Sequence, residues 1–257
     1  MLKTQLIILT LSTVILPFLL QAEDNINASG KKSETTGFVY GIGLSVNNEI
    51  YKGFSTRTMP LPLIGYKGER LTVYGPFISY KFKTLENLDL AFKLAPRFQG
   101  FDDSDSYIFQ GMEKRKHSLD AGLSVHYKEN NWHASLSTLF DALNNSGGYE
   151  IKSSLSRMFH FGPVFVEPSV SMSRLDDKHV DYYYGVKNHE VNENRTFYSG
   201  DSALNAGVGV SIATPIFFGG FTRVNIEYWQ FDSAITNSPL VDSESSLSAQ
   251  LLFTKMF

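Results

Sequence analysis

The sequence predicts an all-β fold: a closed antiparallel transmembrane β-barrel of about twelve strands in a bacterial outer membrane. The first observation is a repeated alternation of apolar and polar residues, which is the period of a strand whose two faces have different surroundings. In the last strand, Leu251 and Phe253 continue an apolar row that reaches Phe257, with Gln250 and Thr254 on the other face. We expect this strand to pair with the first one, so that no sheet edge stays open.

The second observation is the spacing of the connections. With the N-terminus in the periplasm, the predicted inner turns are short, and long outer loops lie at residues 98–115, 175–200 and 232–245. Long outer loops and short periplasmic turns are typical of outer-membrane barrels. Treating Gly75-Pro76 as an outer corner keeps the strand number even, as a bacterial single-chain barrel requires.

One predicted strand contains two prolines, Pro60 and Pro62. Proline has no N–H group to donate to a strand ladder. We therefore expect this strand to be frayed or bulged.

The N-terminal residues 1–22 have the layout of a secretory signal peptide, with a basic residue, an apolar run and then Gln21-Ala22. The run is too short and too interrupted by polar residues to be a convincing membrane-spanning helix. We expect cleavage after Ala22, a polar periplasmic lead-in at residues 23–36, and the barrel domain at residues 37–257.

The composition excludes several classes of protein. The chain has no Cys, so it has no disulfide framework, lipoprotein anchor, Cys-based zinc site or thiol nucleophile. Its net charge of −3 at pH 7 gives no basic surface, so nucleic acid is not expected as a partner.

Aromatic residues, mostly Phe and Tyr, make up 14% of the chain. These residues form the girdles of membrane barrels, so we expect contact with outer-membrane lipid.

The polar row of the predicted strands carries charged side chains. A soluble sandwich would turn this row to bulk water, and a barrel would turn it to its lumen. On the barrel interpretation, the lumen-facing charged candidates are Asp89, Lys93, Asp120, Glu167, Arg223 and Glu227.

Several short motifs follow each other along the chain. They are Gly111-Met112-Glu113-Lys114-Arg115, Asp141 ahead of Gly147-Gly148, Tyr182-Tyr183-Tyr184-Gly185-Val186 followed by Glu190, Ser238-Pro239-Leu240-Val241, and the last strand. In their order and spacing, the sequence resembles the MipA/OmpV family of outer-membrane proteins from about Gly37 to Phe257.

The resemblance implies a closed barrel in the outer membrane of Gram-negative bacteria and brings no catalytic residues. The name-giving member of that family is described as a scaffold that joins a lytic transglycosylase to a bifunctional murein synthase. Other members are described as porin-like or as adhesins. We therefore expect a non-enzymatic scaffold for peptidoglycan enzymes, with a porin-like channel for small solutes or an outer-loop adhesin as alternatives.

No residue pattern predicts catalysis, a metal or a cofactor. His133 and Ser135 lie two positions apart on one face of a strand, where an imidazole could activate a hydroxyl. They belong to the polar row, however, whereas the outer-membrane lipases that carry a similar pair present it to lipid. The acidic run at residues 102–106 lacks the Gly and Glu of an EF-hand loop, and the six His show no zinc-binding spacing.

The loop at residues 175–200 is the best candidate site, because a loop of this length without a strand pattern is usually functional or disordered. Its tyrosines could fold inward as a plug or outward as a contact surface. Alternatively, they belong to the outer aromatic girdle. The candidate residues are Tyr182, Tyr183, Tyr184, Gly185, Val186 and Glu190.

Overall fold

The fold is taken from a computed structural model, in which residues 36–54 and 56–257 are described. The expected signal peptide, and the expected lead-in except for its last residue, lie outside the described residues.

Thirteen strands form one sheet among the described residues. β8 and β9 both pair with β10 and are separated by Met158 alone, so they form one interrupted strand of the wall. The wall therefore has twelve strands, and the predicted barrel is confirmed. The strands are β1 (Gly37–Asn48), β2 (Thr56–Lys67), β3 (Leu71–Tyr74), β4 (Phe77–Leu85), β5 (Leu88–Arg97), β6 (Ser118–Glu129), β7 (Trp132–Asp141), β8 (Tyr149–Arg157), β9 (Phe159–Phe161), β10 (Val164–Leu175), β11 (Ala203–Thr214), β12 (Phe221–Gln230) and β13 (Ser245–Met256).

The last strand closes the ring against the first one. β13 pairs antiparallel with β1, which places Leu251 opposite Leu44 and Phe253 opposite Ile42. These four side chains belong to the outward row. Their alternation with buried residues continues around the wall, so an apolar outer surface surrounds a mostly polar lumen.

The connections differ in length at the two ends of the barrel, as predicted. Asn130 and Asn131 alone join β6 to β7, and both have a positive φ, 48° and 66°. Asn tolerates this backbone better than most residues, and two-residue hairpin turns of this kind require it. The opposite end carries the long loops at residues 98–117 and 176–202.

Two short α-helices lie in the outer loops, α1 (Asp177–Tyr184) and α2 (Ser233–Thr236). The side chain of Asp176 accepts a hydrogen bond from the backbone N–H of His179 and so caps the start of α1. Two 3-10 turns, Tyr107–Phe109 and Asn188–Glu190, complete the loops.

None of the helices in the described residues has the length and apolar character needed to cross a membrane.

The strand with two prolines is not frayed on the side of β1, so the prediction is wrong there. β2 pairs with β1 without interruption from Thr56 to Lys67. Because Pro60 and Pro62 are two positions apart, their nitrogens face the same side, away from β1. Pro168 shows the same effect in β10, where it pairs with neither β8 nor β9.

Candidate functional site

The outer loops pack against each other and cover one end of the barrel. We define the cap as residues 49–54, 98–117, 176–202 and 231–244. The cap has an apolar core, to which the adjoining ends of β10 and β11 contribute Leu175 and Ala203. This core consists of Ile50, Tyr51, Phe101, Ile108, Phe109, Met112, Leu175, Val180, Tyr183, Tyr184, Val186, Ala203, Ile235, Leu240 and Val241.

A buried ion pair between Arg115 and Glu190 lies inside the cap. The Nη1 and Nη2 atoms of Arg115 donate to Oε1 and Oε2 of Glu190 at 2.9 and 2.8 Å. The backbone N–H groups of Glu113 and Lys187 donate to the same carboxylate at 2.9 and 3.0 Å. Buried charges are costly unless they are paired and fully hydrogen-bonded. Four donors meet this requirement for Glu190.

Backbone carbonyls accept the remaining hydrogen bonds of the buried arginines. Nε of Arg115 donates to the carbonyl of Tyr182 at 2.7 Å. Arg195 donates from Nε and Nη2 to the carbonyl of Glu190 at 2.9 and 2.6 Å, and from Nη1 to the carbonyl of Ile108. The bonds to the carbonyls of Tyr182 and Ile108 join the two longest outer loops of the described chain.

The cap fixes the protonation of two of its groups. Burial raises the pKa of Glu190, but hydrogen bonds from Arg115 and from the backbone of Lys187 and Glu113 outweigh this effect and lower the pKa to about 2. Burial lowers the pKa of His179 in α1 well below its usual value. At neutral pH, the carboxylate is therefore charged and the imidazole neutral.

Two of the three consecutive tyrosines lie inside the cap. Tyr183 is completely buried and Tyr184 nearly so. The ring of Tyr184 stacks on that of Tyr51, with centroids 5.5 Å apart, and the Tyr51 hydroxyl donates to the carbonyl of Tyr183. Tyr182 is half-buried and packs against the cap core. The girdle interpretation is therefore wrong, because these rings pack among the loops.

The other motifs found in the sequence shape the same region. Asp141 accepts a hydrogen bond from the backbone N–H of Gly147 at 3.1 Å. A Cβ atom at Gly148 would lie 2.5 Å from Oδ1 of Asp176, so only glycine fits beside the start of α1. Ser238 donates from its hydroxyl to the carbonyl of the last residue of α1 at 2.6 Å. The motifs ahead of the last strand thus converge on the cap and its borders.

A charged layer lies in the lumen below the cap. Arg97 donates from Nε to Asp120 and from Nη2 to Glu150, both at 2.7 Å. His179 of α1 rests on this layer, with Nε2 at 3.0 Å from Oε1 of Gln99 and at 3.5 Å from Nη1 of Arg97. Side chains therefore fill the lumen where it meets the cap.

The six predicted lumen charges have different surroundings. Asp120, Glu167, Arg223 and Glu227 are buried, whereas Asp89 and Lys93 are half-buried. The structure joins only Asp120 to the charged layer described above. The other contacts are Glu167 with His133, Glu227 with Trp229, Asp89 with Thr84, and the guanidinium of Arg223 over the ring of Phe221.

The His133 and Ser135 pair does not form. Nδ1 of His133 lies 2.6 Å from Oε1 of Glu167, which also accepts the hydroxyl of Ser156 at 2.6 Å. Ser135 instead contacts Ser154, with the two Oγ atoms 2.7 Å apart. The imidazole is therefore directed at a carboxylate and activates no hydroxyl at this position.

One group of possible metal ligands lies at the cap surface. Glu113, His189 and Glu190 present ligand atoms within 4.8 Å of one another. Both oxygens of Glu190 already accept hydrogen bonds, however, and the exposed carboxylate of Glu113 contacts Lys187 and His189 at 2.6 and 2.9 Å. The group forms an ion-pair network, and its geometry does not favour a metal.

The helix in the long loop and most of the cap core were not predicted from the sequence. Asp176 followed by the acidic Asp177 is a helix-start signal that could have located α1. Tyr51, Phe109 and Arg195 follow no period in the sequence, because their contacts join separate loops.

Comparison with known proteins identifies the family. The sequence matches the family described as MltA-interacting protein MipA over residues 40–257. It is 26% identical to outer membrane protein Omp26La of Vibrio anguillarum over 80% of this chain and 81% of that protein. It is 25% identical to outer membrane protein OmpV of Vibrio cholerae over 70% of each, and 23% identical to the MltA-interacting protein of Escherichia coli (strain K12) over 80% of this chain and 84% of that protein. The predicted family and location are therefore confirmed, and the chain belongs to the MltA-interacting protein MipA family of outer-membrane proteins.

Proposed function

We propose that this protein is a non-enzymatic scaffold that brings a lytic transglycosylase and a murein synthase together at the periplasmic face of the outer membrane. The observation that carries the proposal is the closed outer end of the barrel. A barrel sealed in this way acts through its surface rather than by passing a solute. The name of one relative, MltA-interacting protein, supports the class of the first partner.

Two features close the outer end. The Arg115–Glu190 network holds the loops of the cap together, and α1 rests through His179 on the charged layer around Arg97. A cavity lined by Tyr184 and Trp229 among others lies between the cap and the lumen and has a volume of about 70 Å³. This is room for a few water molecules.

The contact with the partners would lie at the opposite end, which faces the periplasm. The turn between β11 and β12, residues 215–220, is the longest inner turn of the described chain. It exposes Ile216, Phe217 and Phe218, and the Phe218 side chain is 87% exposed. Phe218 also packs edge-on against Phe253 of the outward row, with ring centroids 6.2 Å apart. An apolar turn at the membrane surface suits a small, transient interface.

Co-purification tests the scaffold. A tagged protein at native abundance, extracted in mild detergent, is expected to bring down a lytic transglycosylase and a murein synthase. If the intact barrel brings down no murein enzyme, the proposal is wrong. The shift in gel migration on boiling, typical of folded barrels, provides the control for folding.

The rival function is a porin-like channel. The observation that favours it is the row of buried charges in the lumen, including Asp120, Glu167 and Arg223. Conduction would require the cap to move aside and the charged layer around Arg97 to part. The channel therefore predicts discrete current steps from the wild-type protein, and the scaffold predicts none.

A further inference from the structure

The barrel wall is incomplete between β2 and β5. β3 pairs with β2 only at Gly65, Tyr66 and Lys67. One more bond, from the N–H of Gly75 to the carbonyl of Ile64 at 2.9 Å, ends the contact where the β3–β4 hairpin turns. Among the residues that the structure describes, residues 56–63 of β2 have no strand partner on this side.

The backbone geometry shows which groups of β2 face the gap. In an antiparallel strand, the N–H and C=O of one residue point to the same neighbour, and every second residue points the same way. The carbonyl of Ile64 points to the hairpin, so the backbone groups of Pro62 and Pro60 point into the gap above it. Because proline has no N–H, this edge offers few donors and resists pairing with another strand.

The opposite border of the gap carries a proline as well. β4 pairs with β5 no further than Leu94, whereas β5 pairs with β6 without interruption through Pro96 to Arg97. Since Pro96 cannot donate to the ladder with β6, its nitrogen faces the gap. Prolines on both borders keep this part of the wall unpaired.

The lumen behind the gap is apolar. Leu61, Leu63, Phe77 and Leu252 are buried there as one cluster, and Ala95 and Phe98 pack against it. Elsewhere the lumen row is largely polar, which makes this apolar region distinct. The polar residues of that row include Ser45, Asn47, Asn205, Ser211, Asn225, Ser248 and Gln250.

A side chain of β2 bridges the gap near the cap. Nη1 of Arg57 in β2 donates to the carbonyl of Phe98, just beyond β5, at 3.3 Å. Arg57 also pairs with Glu49 of the cap at 2.8 Å. Opening the gap therefore requires the movement of side chains but does not break a strand ladder.

We infer that a hydrocarbon chain of an outer-membrane lipid inserts through this gap as its side chains move apart, and packs against Leu61, Leu63 and Phe77, which are 4–7% exposed in the structure. The exposed residues beside the gap include Pro60, Pro62 and Ile64, so the unpaired edge of β2 lies at the lipid-facing surface. Hydrocarbon chains are the apolar molecules that cover this surface, and the apolar cluster lies directly behind it. The site therefore takes lipid from the side rather than a solute from the outer mouth.

The test measures contact without altering the site. Deuterated protein with protonated Leu and Val methyl groups is refolded into nanodiscs of ordinary phospholipid, and nuclear Overhauser effects between methyl groups and lipid chains are recorded. Leu44, on the lipid-facing row, is the positive control. Val39 is the matched negative control, because it is buried on the lumen side of β1, which has a strand partner on both sides.

We expect lipid-chain effects at Leu44, Leu61 and Leu63, and none at Val39. The effects at Leu61 and Leu63 should disappear in nanodiscs of chain-deuterated lipid, which shows that lipid protons cause them. A spectrum with effects at Leu44 but none at Leu61 or Leu63 would overturn the inference. Equal effects at Val39 and Leu61 would also overturn it, because lipid contact would then not depend on the gap.

Discussion

Arg115 and Glu190 are 75 positions apart in the sequence and form a two-pronged ion pair that is almost completely buried. Each belongs to a different outer loop, and each also binds backbone groups of the other loop. The pair therefore joins the two loops into one folded cap.

Arg115→Ala should destabilise the cap by about 3–5 kcal/mol, because it leaves a buried carboxylate without its partner. The measurement is hydrogen exchange at the backbone amides of α1, which reports local opening. Lys114→Ala is the matched control, since Lys114 makes an exposed pair with Asp102 at 2.8 Å and should leave the stability of the cap almost unchanged. Equal protection of α1 in both variants would contradict this role of the pair.

The cap should lose stability in acid. The pKa of Glu190 falls from 4.5 to about 2 on folding, so the charged carboxylate stabilises the cap above pH 4.5, and this contribution, about 3 kcal/mol, is lost as the pH falls towards 2. The pKa of His179 is also lowered on folding, so the unfolded cap binds a proton at this residue more readily than the folded cap. The stability of the folded cap therefore falls as the pH drops below 6.5. Proteolysis of the outer loops should accelerate over this range in the wild type. In Glu190→Gln, the acceleration of proteolysis below pH 4.5 should be absent. If that variant has the same dependence of proteolysis on pH as the wild type, Glu190 is not the group responsible.

The aromatic core of the cap should contribute strongly to its stability. Phe109 is completely buried and stacks on Phe101, with ring centroids 3.9 Å apart. Phe109→Ala should cost about 3–5 kcal/mol of cap stability. Phe197→Ala, at an exposed position of the same cap, should cost less than about 1 kcal/mol. Loop proteolysis rates compare the two variants, and similar rates would show that the loops have no cooperative core.

The apolar periplasmic turn should matter for partner binding. Phe218→Ser should reduce co-purification of the transglycosylase several-fold, because it removes the most exposed aromatic side chain of the turn. Asn130→Asp, in another inner turn, is the control and should have no effect. Undiminished co-purification with Phe218→Ser would exclude this turn as the contact.

The barrel could be predicted from the sequence because strand alternation and connection length are local signals. Leu251 and Phe253 face outward as their period requires, and β6 and β7 meet at the predicted Asn130-Asn131 turn. The corner at Gly75-Pro76 was also correctly placed. The gap that the short β3–β4 hairpin leaves between β2 and β5 was not predicted, because the height at which a hairpin ends depends on the register of its neighbours.

The cap could not be predicted in the same way. Its contacts join residues such as Tyr51 and Tyr184, which no local period connects. The sequence placed Arg115 and Glu190 in motifs of the resemblance but gave no reason for them to meet. Only the folded loops show that one pairs with the other.

Single-channel conductance in a planar bilayer tests the central claim, a barrel closed at its outer end, most directly. The refolded chain from residue 23 onwards is measured beside a variant that also lacks residues 181–199, with the gel shift on boiling as the control for folding. We predict no current steps from the wild type, because the cap and the charged layer below it close the lumen. Discrete openings of the wild-type protein would contradict the claim and favour the channel over the scaffold.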